Sequence, residues 1–192
     1  MYLQELIKQK KKRLKPCKTV ITDQTGEKYE IVNGQRIKID QVLPFIIDTK
    51  PDLQIAKIIP GLFLSSQDPV ANLEILKEHA IKHVLSLGIE PSVKFQDINY
   101  HYIDMLDLPD FNILDSIKLC ISIIHKTLHE NILVHCNAGI SRSSTIVIAY
   151  LMATNDLSYE GAYKIVKDVR SSIKPNDGFI HQLKKSNLRN LL

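Results

Sequence analysis

Ile132-Leu133-Val134-His135-Cys136-Asn137-Ala138-Gly139-Ile140-Ser141-Arg142-Ser143-Ser144 is the stretch on which the reading of this chain turns. Its first four residues read as a short buried strand, and the residues from Ser141 to Thr154 as an apolar helix. A short loop joins them, with Cys136 at the end of the strand and Arg142 opening the helix. Backbone N–H groups of such a loop, and of the first helical turn, have no internal partner and converge on one point. Together with the helix dipole they make an anion cradle of phosphate size, here Asn137, Ala138, Gly139, Ile140, Ser141 and Arg142. Gly139 permits the tight backbone this requires, and Arg142 can grip two phosphate oxygens in a planar fork.

The same field favours the thiolate of a cysteine placed there, and the thiolate is the nucleophile. Cys136 would attack phosphorus in line while Arg142 and the loop amides stabilise charge on the equatorial oxygens. His135 is placed to orient the loop by hydrogen bonding. Ser143 can donate to the sulfur and help it leave in the second step. A bare C-x5-R is a weak signal. With His before Cys, Gly three residues after it and Ser before Arg, in a strand–loop–helix setting, the signal is strong.

Working outward, strands are expected over Gln54–Ile59 and Leu62–Ser65, meeting at Pro60-Gly61, and over His83–Leu87 and Tyr100–Leu106. Helical spacing appears over Ala71–Lys77, where Leu73, Leu76 and Ala80 share a side. It recurs over Asn112–His129, Ser158–Val169 and a last segment opening at Asn176-Asp177. Strands alternating with helices predict an α/β fold: a single domain with a central, mainly parallel sheet flanked by helices. That domain should occupy residues 52–192. Residues 1–51 read as a basic, polar N-terminal extension with short β-like patches such as Tyr29-Glu30-Ile31-Val32.

Charge separates the two parts. Residues 1–50 carry 11 Lys and Arg against 6 Asp and Glu, whereas the remainder carries 14 against 15. The basic character comes from the run Lys8 to Lys18, which suits a solvated or disordered arm first, and otherwise a nuclear localisation signal, acidic-membrane contact or partner docking. Three cysteines, Cys17, Cys120 and Cys136, show no CxxC pair and support neither a disulfide framework nor a zinc site. Cys120 falls on the apolar face of a helix and is expected in the core. His125 and His129 lack a third ligand, so no metal and no cofactor are expected. The N-terminus lacks the basic-then-apolar order of a secretory signal, and no apolar run approaches a membrane span. A cytoplasmic protein is the expectation, with the basic run permitting nuclear entry.

His135-Cys136-x-x-Gly139-x-Ser141-Arg142-Ser143 resembles the signature of the dual-specificity protein phosphatases within the cysteine phosphatase superfamily. The resemblance covers about residues 53–190 and includes Gly61-Leu62-Phe63-Leu64-Ser65-Ser66 and Pro175-Asn176-Asp177-Gly178-Phe179-Ile180-His181-Gln182-Leu183. It implies a phosphotyrosine-phosphatase-like fold and hydrolysis of phosphotyrosine and phosphoserine or phosphothreonine through a phosphocysteine. It also implies an aspartate upstream of the signature that gives a proton to the leaving group and later activates water. Asp104, Asp107 and Asp110 compete for that role. The family pattern places the acid six residues before the apolar residue opening the next helix, which from Ile113 gives Asp107. Arg170, ahead of Ser171-Ser172, reads as a surface or helix-end charge.

The likeness within the family is to phosphatases that regulate stress-activated kinases. A phosphorylated MAP kinase, or another kinase of such a pathway, is therefore the expected partner, with neither nucleic acid nor membrane involved. Oligomeric state is left open. A kinase-binding scaffold with weak catalysis is the competing reading, resting on Lys10-Lys11-Lys12-Arg13 near Leu14, Val20 and Ile21. A non-protein phosphate ester is another, although Asn137, Ala138 and Ile140 bring no extra positive charge to the loop.

Overall fold

In the computed structural model, residues 19–22, 28–32, 35–38, 52–188 and 191 are described. The chain divides into two compact units, residues 1–50 and 51–192. The described part of the first is an antiparallel sheet of β1 (Thr19–Thr22), β2 (Lys28–Val32) and β3 (Gln35–Lys38), ordered β1-β2-β3. The patch Tyr29–Val32 lies in β2, and Val20 and Ile21 lie in β1. The basic cluster Lys8–Lys18, with Leu14, lies outside the described residues.

The second unit holds β4 (Ala56–Ile59), β5 (Leu62–Ser65), β6 (His83–Leu87), β7 (Asn99–Ile103) and β8 (Ile132–His135), in the order β4-β5-β8-β6-β7. Only β4 runs antiparallel to its neighbour; the other pairings are parallel. β6 and β8 are buried at every position, as central strands covered on both faces must be. The expected strand over Gln54–Ile59 is shorter by two residues at its start, and that over Tyr100–Leu106 ends at Ile103.

The helices are α1 (Leu73–Glu78), α2 (Leu114–Thr127), α3 (Arg142–Asn155), α4 (Tyr159–Val169) and α5 (Asp177–Lys185). The helix expected over Ala71–Lys77 runs instead from Leu73 to Glu78, and Ala71 ends a separate 3-10 turn, Asp68–Ala71. Asn72 breaks the two apart, because its side chain accepts the N–H groups of Glu74 and Ile75 and so caps α1. Ala80 falls beyond the helix, with φ of 50°. α2 buries Ile117, Cys120, Ile121 and Ile124 on one face. α3 is buried from Ser143 through Met152, which suits a helix enclosed by the sheet and its neighbours. Cys120 is fully buried in this core, and burial pushes its thiol up to about 12, so it is a packing residue. No helix among the described residues is long and apolar enough to cross a membrane.

Candidate active site

Parallel α/β sheets present their binding crevice beyond the carboxyl ends of the strands. Here Cys136 follows β8 directly, and α3 begins six residues later at Arg142. Cys136 is nearly fully buried, and its Sγ lies 3.2 Å from the Oγ of Ser143 in the first turn of α3.

The loop between them is held by its carbonyls. Asn137 O accepts the N–H of Gln67, Ala138 O and Gly139 O accept from the Arg170 guanidinium, and Ile140 O accepts from the N–H of Lys174 and the Ser144 hydroxyl. Ser141 O takes the N–H and hydroxyl of Thr145 and shares the single proton of the Ser144 hydroxyl with Ile140 O. No hydrogen bond among the described residues takes up the backbone N–H groups of Asn137 through Arg142. A loop whose carbonyls are engaged and whose amides are free is a receptor for an anion. Gly139 adopts φ of 67°, and a Cβ there would stand 2.5 Å from Ser65 O, so a side chain would push the loop off the sheet.

The start of α3 belongs to the same receptor. α1, α4 and α5 each begin on a capping side chain, Asn72, Ser158 and Asn176. Ser141 occupies the corresponding place for α3, but it makes no cap and donates its hydroxyl to Asp107 Oδ1 at 2.7 Å. The first amides of α3 are thus left open to a ligand. Arg142 is fixed by one donor, Nη1, to Leu87 O at 3.0 Å. Its Nε is buried without a hydrogen-bond partner, 3.9 Å from Asp107 Oδ2. A buried guanidinium N–H left unpaired is costly, and a phosphate oxygen would satisfy it.

His135, the last residue of β8, is fully buried. Its Nδ1 lies 3.4 Å from the carbonyl of Cys136, which can only accept, so Nδ1 carries the proton and Nε2 accepts from Ser86 Oγ at 2.7 Å. Burial above all, with Arg142 adding to it, holds the ring pKa down to about 4 against the pull of the Cys136 carbonyl. His135 is therefore a neutral strut between β6 and the signature loop.

Of the three competing carboxylates, Asp107 reaches the signature, through Ser141 and towards Arg142. Asp104 is exposed and takes the Tyr102 hydroxyl, and Asp110 is exposed. Asn176 also donates to Asp107 Oδ1, at 2.7 Å.

Arg170 corrects the surface reading. It is 1% exposed and threads back to the signature, with Nε on Gly139 O, Nη2 on Ala138 O and the Asp52 carboxylate, and Nη1 near Gln54 O. An arginine at a helix end that meets so many carbonyls is a brace for the loop. His129, paired with Glu130, and His125 form no metal site, and no group of three or more ligating side chains is placed to hold a metal among the described residues.

The class that this fold and site define is the cysteine-based phosphatases. The family model described as dual specificity phosphatase, catalytic domain, matches residues 62–188, and the chain belongs to that family. It is 38% identical to mouse dual specificity protein phosphatase 19 over 144 residues, covering 73% of this chain but 65% of the mouse protein. A probable dual specificity protein phosphatase of Dictyostelium discoideum is 32% identical over 212 residues, covering 91% of this chain and 92% of that one. Among solved structures, DUSP15 matches with a TM-score of 0.65 and 37% identity, over 68% of this chain and 85% of that one. The human tyrosine phosphatase-like serine/threonine/tyrosine-interacting protein matches with a TM-score of 0.64 and 35% identity, over 68% of this chain and 93% of that one. The five-stranded mixed sheet with flanking helices is the fold of these phosphatases.

Proposed function

We propose that this protein hydrolyses phosphotyrosine and phosphoserine or phosphothreonine in proteins through a phosphocysteine on Cys136. The observation that carries the reading is the buried Nε of Arg142, without a hydrogen-bond partner, beside a loop of free amides with Cys136 at its base. A phosphoryl group seated there would receive the Arg142 fork and the amides of residues 137–142 on its equatorial oxygens. Sγ of Cys136 attacks phosphorus as the bond to the leaving oxygen breaks, and Asp107 gives that oxygen its proton. Water then attacks phosphorus, passing a proton back to Asp107, while the Ser143 hydroxyl, 3.2 Å from Sγ, stabilises the departing sulfur. His135 holds the loop and takes no proton in this scheme. The substrate we infer is a phosphorylated protein, in line with the family, and within that class a kinase of a stress-activated MAP kinase pathway, met in the cytoplasm and the nucleus.

The human neighbour is named phosphatase-like and interacting, which suits the scaffold reading for that protein. In this chain Cys136, Arg142 and Asp107 are all present and in mutual reach through Ser141 and Ser143, which favours catalysis. Hydrolysis of p-nitrophenyl phosphate and of a doubly phosphorylated kinase-loop peptide, without added metal, tests the reading. Activity on both that is lost in Cys136→Ser supports it. Retention of activity in that variant refutes the nucleophile, and silence on both substrates favours the scaffold.

A further inference from the structure

The two oxygens of the Asp107 carboxylate have unlike surroundings. Oδ1 receives the Ser141 hydroxyl and the Asn176 amide, each at 2.7 Å. Oδ2 is the oxygen on the Arg142 side, 3.9 Å from Nε. The direction of both hydrogen bonds to Oδ1 is forced. Asn176 stands at the N-cap of α5, where its own Oδ1 accepts the N–H of Phe179 at 2.9 Å. Turning the amide over would forfeit that cap, so Nδ2 must face Asp107. Ser141 Oγ accepts the N–H of Asn176 at 3.2 Å, which directs its single proton to Asp107. An oxygen facing two obligatory donors has no room for a proton of its own.

We propose that Asn176 is a positioning residue for the acid step. With Ser141 it occupies Oδ1 and confines the proton of the acid form to Oδ2. The proposal rests on the reading of Asp107 as the acid. As the phosphorus–oxygen bond to the leaving group breaks and the sulfur–phosphorus bond forms, the Oδ2 proton moves to the leaving oxygen. In the second step a water proton returns to Oδ2 as the water oxygen bonds phosphorus and sulfur departs as thiolate.

Further contacts tie the acid loop to α5. Gln182 accepts the N–H of Ile113 at 3.0 Å and donates to Phe111 O at 2.8 Å. Gly178 packs so closely on Pro109 that a Cβ would collide with the Pro109 carbonyl. The segment 107–113 is therefore fastened by residues 176, 178 and 182, and Asn176 is the one that touches the reacting carboxylate.

Asn176→Ser keeps an N-cap acceptor and removes the amide donor. Asn176→Asp keeps the cap and sets an acceptor against Oδ1. For each variant, kcat/KM is measured on phenyl phosphate, a poor leaving group, and on dinitrophenyl phosphate, a very good one, alongside Asp107→Asn and the double variants. The phenyl-to-dinitrophenyl ratio should fall about 10-fold in Asn176→Ser, the loss of one hydrogen bond to a charged group. It should fall further in Asn176→Asp, and neither change should lower it again in the Asp107→Asn background. Equal losses on both substrates, or an undiminished fall in that background, overturn the positioning role alone. A ratio that Asp107→Asn leaves unchanged overturns the acid assignment and the positioning role with it.

Discussion

Arg170 is buried and Arg142 half-buried, and both adjoin the loop between β8 and α3, yet their guanidinium groups are used differently. Arg170 has Nε on Gly139 O, Nη2 on Ala138 O and Asp52, and Nη1 on Gln54 O, so each of its nitrogens meets protein. Arg142 makes one hydrogen bond, through Nη1, and its buried Nε has no hydrogen-bond partner, only the Asp107 carboxylate 3.9 Å away. The difference separates a brace from the binding group proposed above: a saturated arginine holds the loop's carbonyls, and an unsaturated one keeps donors for an anion. It also explains why the loop can present free amides, since Arg170 fixes the opposite edge of the same peptide groups.

The contrast is most severely tested at Arg142. Arg142→Lys should lower kcat about 10³-fold, near 4 kcal/mol of transition-state stabilisation, because lysine lacks the planar fork. Urea unfolding of the same variant should show a loss of about 1 kcal/mol or less, the value of the single bond to Leu87 O. A variant that unfolds but retains turnover would reverse the assignment.

Arg170→Met should do the opposite, costing roughly 3 kcal/mol of stability because the buried Gly139 carbonyl and the part-buried Ala138 carbonyl lose their donor. Its activity should fall only as the loop loosens, and phosphate or vanadate binding to the native state should recover part of the stability. An unchanged urea midpoint would show that the brace is dispensable.

Beneath the loop, His135 makes stability depend on pH. Its folded pKa, about 4, lies below the usual 6.5, so the unfolded chain binds the extra proton between these values. The neutral ring's contribution is whole above pH 6.5 and is lost as pH falls towards 4, up to about 3 kcal/mol. Urea unfolding from pH 7.5 to 4.5 should show this slope, and His135→Asn should flatten it. The smallest effect belongs to Asp52→Asn, which removes the partly exposed ionic partner of Arg170 and should cost about 1 kcal/mol.

What could be read in the chain follows from the same contrast. The cradle lies in consecutive residues, so strand, loop, thiol and fork are visible together, and the parallel sheet follows from the buried runs of β6 and β8. Arg170 was not legible as a brace, because its partners Asp52 and Ala138 lie 118 and 32 residues away. Before the contacts are known, its position at the end of α4 reads as an ordinary surface charge. Asn176 was visible as a helix start, but its second use, 69 residues from Asp107, exists only once α5 is packed. The 3-10 turn before α1 escaped for a local reason: Asn72 caps one helix by interrupting another.

The central claim is that phosphorus becomes bonded to Cys136 during turnover. Rapid quenching of the enzyme during hydrolysis of p-nitrophenyl phosphate, followed by digestion and mass spectrometry, tests this directly. One phosphoryl group should appear on the peptide containing Cys136, accumulate in Asp107→Asn where water is poorly activated, and be absent from Cys136→Ser. Turnover without any phosphorylated cysteine, or a phosphoryl group found on another residue, would contradict the account.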